Sequence, residues 1–445
     1  MSAPAFEGRF RRIELPGQVC LHLAPTRKFK TVTLKLFARC DLEGGVATEV
    51  AALPFVLRRG TAKVPSLRGL SRALEELYGA SLDPNLDKVG EEQVLSFTLR
   101  LLGDRFLPEG ESILERGVQL LHDLLWDPVR DDEGNLREEE VSQELEKIRR
   151  RIEALIDDKG AYASERCVWH MCQDEPYSVF EFGSLDDLPS LDGARLDARR
   201  RALVERAPLD IYAVGAFDAD RLEAIVRKAF SGLRHEQTKL RGTTPNPAPR
   251  PPKDIVERVG ALKQSKLVIG LRAPVLGSGP KFWDLLLMIG VLGGFPHSKL
   301  FRNVREAEGL AYNASASLEQ FKGLVFLYAG IEPENAERAR EACLEQLEAI
   351  RRGEITSEEL ESTQAAFRQA YRGVLDLPGG LINFDYLSGL RGQKLLAPEA
   401  IAAVDAVTVE GVQAAAQSLW LDTVYLLEPE VEKESGEESV EDTKA

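Results

Sequence analysis

Five prolines fall within the stretch RGTTPNPAPRPPKD, residues 241–254. Proline fixes φ and removes a backbone donor, so such a segment cannot continue a helix or an inner strand and should run extended and exposed. It cuts a 445-residue chain near its middle. That length already exceeds what one hydrophobic core normally serves. The chain is therefore expected to fold as two units joined by a linker, with boundaries at 1–240, 241–257 and 258–430.

The two sides repeat one another in order. KTVTLKLFARC (30–40) and KLVIGLRAP (266–274) alternate as strands do, and apolar helical stretches follow at 46–59 and 281–294. Tyr78 and Tyr312 then each open a Tyr-x-Ala-Ser step into another alternating strand. In the second half Ala339, Cys343, Leu347 and Ile350 share one helix face, with Gly353 as a stop. Thr356 and Glu359 form a capping box for the next helix. The matching first-half helix should run from about Ser112 to Trp126. Each half ends in a short strand, DIYAVG (210–215) and TVYLLEP (423–429). The expected fold class is α+β: two tandem homologous units, each an antiparallel-rich sheet with helices packed on it, enclosing a cleft.

Charge excludes some partners. The net charge is −15, which argues against nucleic acid. From Glu428 to Ala445 there are eight acidic residues and two lysines, leaving −9 for the rest. That composition predicts a disordered acidic tail, residues 431–445. The longest apolar run, WDLLLMIGVLGG (283–294), is too short for a bilayer, and the first residues show no secretory signal. These features predict a cytoplasmic protein without a membrane partner. Five cysteines give no disulfide framework.

The helix ATEVAALPFVLRRGT (47–61) raises the functional question. In zinc peptidases of the inverted type, His-x-x-Glu-His on a helix places two imidazoles four residues apart on one face, with glutamate as general base. Here Gly44-Gly45, the apolar helix, Arg58-Arg59-Gly60-Thr61 and the spacing Leu70, Leu74-Glu75, Leu77-Tyr78-Gly79-Ala80 resemble the insulinase, pitrilysin and mitochondrial processing peptidase family. The resemblance implies the LuxS/peptidase-like metalloenzyme fold. It places the metal motif on Ala51 to Phe55. Ala51 and Phe55 stand at the histidine positions and Pro54 at the general base. None can serve: methyl and phenyl groups have no lone pair for a metal, and proline carries no carboxylate and tends to begin a helix. Glu139 and Glu146, two turns apart on one face, match a glutamate pair that in active relatives includes the third ligand; here they read as a solvated charged helix.

The second half retains a motif. FPHSKLFRNVREAEGLAYNASA (295–316) carries Ser298, Leu300, Phe301, Arg305, Glu306, Gly309, Leu310 and Tyr312 in the family's order. The resemblance gives Arg305 and Tyr312 the roles of substrate binding and oxyanion stabilisation across the cleft. A planar guanidinium and an aimed phenol suit peptide carbonyls. Asp158-Lys159, Tyr162-Ala163, Arg166, Met171-Cys172 and Glu175-Pro176-Tyr177 are similar to the metal-less, YmfF-like bacterial subgroup of that family. The resemblance thus implies a non-catalytic subunit with no metal of its own. Its partner would be a homologous active subunit holding the zinc, and the pair would act on peptide or unfolded polypeptide. The alternative is a non-catalytic homodimeric peptide-binding or scaffold protein.

Other features carry less. Cys167, His170 and Cys172 lack a second ligand group at matching spacing and read as core. His122 lies on an apolar helix, His297 has no nucleophile beside it, and residues 194–206 form a mixed-charge helix. LGSGPK (276–281) lacks the spacing of a phosphate loop and reads as a turn.

Overall fold

A computed structural model describes residues 8–16, 19–231, 239–260, 262–274 and 279–430. The acidic tail and residues 276–278 of the LGSGPK turn lie outside them. The chain begins with β1 (Arg11–Leu15), β2 (Val19–Pro25), β3 (Thr31–Asp41), α1 (Ala47–Leu57), α2 (Leu67–Glu75), β4 (Ser81–Val89) and β5 (Glu92–Leu102). Next come α3 (Leu114–Trp126), α4 (Glu138–Glu153), α5 (Lys159–Met171), α6 (Gly193–Arg206), β6 (Leu209–Gly215) and α7 (Ala219–Ala229). Past the proline-rich stretch lie β7 (Lys253–Val259), β8 (Ser265–Arg272), α8 (Pro280–Ile289), β9 (Ala311–Glu319), β10 (Leu324–Ile331) and α9 (Ala336–Arg351). The chain then runs through α10 (Ser357–Val374), α11 (Pro378–Leu390), α12 (Ala397–Asp405), α13 (Val409–Gln417) and β11 (Trp420–Pro429).

The result is a mixed α/β arrangement of two sheets with helices on them. The six-stranded sheet has the order β1-β2-β6-β3-β5-β4 and the five-stranded sheet β7-β11-β8-β10-β9. In each, one pair is parallel, β2 with β6 and β7 with β11. The following pairs, β6-β3-β5-β4 and β11-β8-β10-β9, are all antiparallel. Strand order and sense therefore coincide once β1 is set aside. The strands and helices expected from the alternating and amphipathic stretches are present. Ala339, Cys343, Leu347 and Ile350 are buried on α9, and Thr356 with Glu359 caps α10.

Two departures have physical reasons. The first concerns the linker. β7 begins at Lys253, inside the segment read as linker, because 253–259 finds a parallel partner in β11. Residues 239–252 hold neither helix nor strand, yet they are tied down. Asn246 Nδ2 donates to the carbonyls of Ala273, Lys322 and Gly323 at 2.9, 2.8 and 3.0 Å. The second concerns Pro54, which lies inside α1 rather than at its start. Ten of the helix's eleven residues are buried, and that burial outweighs the one missing backbone donor.

Each sheet receives a helix from the opposite side of the linker. α5 lays Cys167, Val168 and Met171 on Val268, Phe326 and Tyr425 of the five-stranded sheet. Gly270 is glycine because a Cβ there would meet Met171 Sδ at 2.3 Å. In return, α11 places Leu381, Ile382 and Tyr386 against Phe37, Val94 and Tyr212 of the six-stranded sheet. Phe37 and Tyr386 stack with centroids 3.8 Å apart.

The two hairpin turns meet between the sheets. Lys322, in the β9–β10 turn, is fully buried, and its Nζ donates to Glu91 Oε1 of the β4–β5 turn at 2.8 Å and lies 2.5 Å from Glu175 Oε2. Arg272 continues this network. It donates to Glu175 Oε1 at 2.7 Å, Asp422 Oδ2 at 2.8 Å, Asn246 Oδ1 at 2.8 Å and the Met171 carbonyl at 2.6 Å. Among the described residues four buried apolar clusters result: one beneath each sheet's own helices and one beneath each exchanged helix.

Candidate functional site

The region around α1 is where a metal centre would have to be built. α1 packs between the six-stranded sheet and α4 and α6. Ala51 is fully buried among leucines and valines of the core. Pro54 is buried, and Phe55 is half-buried at its margin. The Arg151 guanidinium lies 5.9 Å from the Phe55 ring and 4.5 Å from that of Phe182. Methyl, pyrrolidine and phenyl groups give no donor to a metal. These residues do not fit a zinc ion.

The carboxylates nearby are committed elsewhere. Glu49 is buried and accepts from Arg195 Nε and Arg199 Nε, each at 2.6 Å, so it fastens α1 to α6. Glu139 and Glu146 are exposed. Glu146 pairs with Arg149 and Arg150 along its own helix, at 3.4 and 3.0 Å. The carboxylate that α4 turns inward is Glu144. It accepts from Arg59 Nε at 2.5 Å, just past the end of α1, and from Lys147 Nζ at 2.8 Å. Sequence reading passed over Glu144. The signal was its place on the apolar stripe of Val141, Leu145 and Ile148, where a carboxylate needs a partner.

The second-half motif lies on a π-helical segment, Leu300–Ala307, and the start of β9. Leu300 and Val304 are buried beneath it. Gly309, at φ +63°, turns the chain from that segment into the edge strand β9. Arg305 is exposed, its guanidinium 4.3 Å over the Phe301 ring. Tyr312 is 57% exposed, and its hydroxyl donates to Glu332 Oε1. That carboxylate holds the phenol above its ordinary pKa. Among the described residues, each of these two side chains thus projects outward from an anchored base. Glu306 is also exposed.

The remaining candidates are structural. Cys167 and Cys172 are buried under the five-stranded sheet, and burial pushes the Cys172 thiol up to about 12. His170 lies 3.0 Å from Glu257 Oε1 on β7. His122 stacks on Trp126 at 5.1 Å. His297 lies 3.1 Å from Thr363 Oγ1, and burial lowers its pKa. No helix of the described residues is long and apolar enough to cross a membrane.

Comparison with known proteins agrees with this geometry. The profile of the peptidase M16 inactive domain matches residues 204–367. The probable inactive metalloprotease YmfF of Bacillus subtilis is 33% identical over 413 residues, spanning 92% of this chain and 96% of that protein. An uncharacterized zinc protease of Streptomyces coelicolor is 24% identical over 411 residues, 86% of each. A conserved protein from Enterococcus faecalis has the same fold at a TM-score of 0.89, with 28% identity over 96% of this chain and 100% of that one. A Helicobacter pylori protease superposes at 0.77 with 15% identity, covering 95% and 99% of the two chains. By that relationship, and with no His-x-x-Glu-His in its sequence, this chain belongs to the M16 family of insulinase, pitrilysin and mitochondrial processing peptidase, as a YmfF-like member.

Proposed function

We propose that this chain is the non-catalytic subunit of a heterodimeric zinc peptidase. It supplies Arg305 and Tyr312 to a homologous partner that holds the zinc and the water it activates. The observation that carries this reading is the contrast between the halves. α1 has no ligand and a packed surface, while Arg305 and Tyr312 stand exposed on anchored backbone with no partner chain to serve within one molecule. Their chemistry suits a peptide: the guanidinium offers several donors to carbonyls, and the phenol, once released from Glu332, one donor to a developing oxyanion.

In this reading residues 1–240 and 258–430 are duplicated copies of one LuxS/peptidase-like unit, joined by 241–257. The coincidence of strand order and sense supports it. The pair works in the cytoplasm on peptides or unfolded polypeptide, with no zinc in the degenerate motif of this subunit.

The test is reconstitution. The chain is mixed with a homologous His-x-x-Glu-His subunit from the same cell, and peptide hydrolysis is measured. Arg305→Ala and Tyr312→Phe should each lower kcat of the pair by about 10²-fold while leaving its assembly intact. Full activity in both variants ends the catalytic part of the proposal. A stable homodimer that ignores the homologous subunit would favour a peptide-binding scaffold instead.

A further inference from the structure

On the face of the six-stranded sheet opposite α1, three donors gather that sequence spacing does not bring together. Cys20 and His22 are two apart on β2 and so share a face. Asp210 on β6 is the direct parallel partner of Cys20. The Cys20 sulfur, a His22 ring nitrogen and an Asp210 oxygen all lie within 4.8 Å of one another. Among the described residues this is the one group of three such side chains so placed. His22 is 2% exposed and its Nε2 lies 2.8 Å from Asp210 Oδ1. We propose that Cys20, His22 and Asp210 bind a divalent cation of the zinc and cobalt class, independently of the lost M16 zinc motif.

The donor set fits that class. Thiolate, imidazole and carboxylate are the usual ligands of borderline divalent ions, at bonds of roughly 2.0–2.3 Å. Tetrahedral bonds of that length separate donors by roughly 3.4 Å, inside the 4.8 Å that bounds the three donors here. Two adjacent strands fix all three Cα atoms. The His22 ring is held by Tyr212, stacked at 4.1 Å, whose own hydroxyl donates to Asp385 Oδ2 at 2.8 Å. Such outer contacts orient ligands in metal sites. Cys20 and Asp210, with Arg12 and Arg39, border a pocket of about 870 Å³, wide enough for water and for entry of an ion.

The cluster already draws positive charge. Arg12 Nη2 donates to Cys20 Sγ at 3.3 Å, and Lys394 Nζ lies 3.3 Å from His22 Nδ1. Neither cation is locked in place. The Arg12 side chain is 54% exposed on the outer strand β1, and Lys394 has a second partner in Asp385 at 2.9 Å. A dication replaces both. Its arrival releases the thiol proton, and the neutral His22 ring, whose Nε2 faces Asp210 and whose Nδ1 faces Lys394, shifts its proton from Nε2 to Nδ1 as Lys394 withdraws to Asp385, which frees Nε2 for the ion.

Cobalt titration of the metal-stripped full chain tests this. Binding should give a near-ultraviolet sulfur-to-cobalt band at one ion per chain. Cys20→Ser should abolish the band, and Cys40→Ser should leave it. His22→Gln and Asp210→Asn should each weaken zinc at least about tenfold in competition with a chromophoric chelator. Circular dichroism of each variant reports folding, and if Cys20→Ser does not fold, the His22 and Asp210 variants decide. Absence of the band in the parent chain, or its persistence in a folded Cys20→Ser, overturns the site. Peptidase activity enters none of these readings, so the site and the subunit role stand or fall separately.

Discussion

Single residues set the balance where the halves meet. Lys322 is fully buried with Glu91 and Glu175 around its ammonium. Lys322→Met would strand the buried Glu91 without its counter-charge, while Glu175 keeps Arg272, and should cost about 3–5 kcal/mol, read from urea unfolding. A loss below about 1 kcal/mol would show that the carboxylates find other partners. Tyr386 gives the opposite case. Its ring stacks on Phe37, but its buried hydroxyl has no hydrogen-bond partner among the described residues. Tyr386→Phe should therefore leave stability unchanged or raise it by up to about 1 kcal/mol, because nothing is lost but a desolvated polar atom. At this scale the apolar character of α1 was legible in the sequence, since Ala51, Pro54 and Phe55 carry no donor and are buried or half-buried. The inward turn of Glu144 and the meeting of Cys20 and His22 with Asp210 depend on partners far along the chain. Local spacing does not record those partners.

Elements were legible in so far as their periodicity is local. β3, β8, α9 and the capped start of α10 follow from alternation, amphipathic stripes and a capping box. The placement of α5 and α11 was not. A buried stripe such as Cys167, Val168 and Met171 shows that a face is covered, but it does not name the sheet that covers it. The α5 contact also carries a pH dependence. Glu257 on β7 is pushed up by burial, but hydrogen bonds from Arg166, His170 and Tyr425 outweigh this and bring it down to about 2. A carboxyl depressed on folding stabilises above its unfolded pKa, and that stability is lost as pH falls through the folded one. The α5–β7 contact should therefore weaken between the ordinary glutamate range near 4.5 and about pH 2. Stability measured against pH should lose this acid-limb component in Glu257→Gln. An unchanged acid limb would show that other groups control it.

For the molecule as a whole, the proline-rich stretch marks a boundary in sequence that is not a boundary in packing. Helix exchange and the network of Arg272 and Lys322 couple the two sheets, so thermal unfolding should be one transition with matching calorimetric and van't Hoff enthalpies. Residues 8–240 and 241–430 made separately should each be insoluble or partly folded, and should regain native circular dichroism when refolded together. Two resolved transitions, or two soluble native halves, would contradict this. The exchange also bears on how the polypeptide is made. The Phe37 and Tyr212 surface is complete once β6 is synthesised, yet its lid lies at 378–390. At bacterial elongation rates of about 5–20 residues per second, roughly 10–35 s separate the two events. Every nascent copy therefore carries a sticky, half-finished layer while it is still being elongated, and chaperones that guard such surfaces have their longest task here.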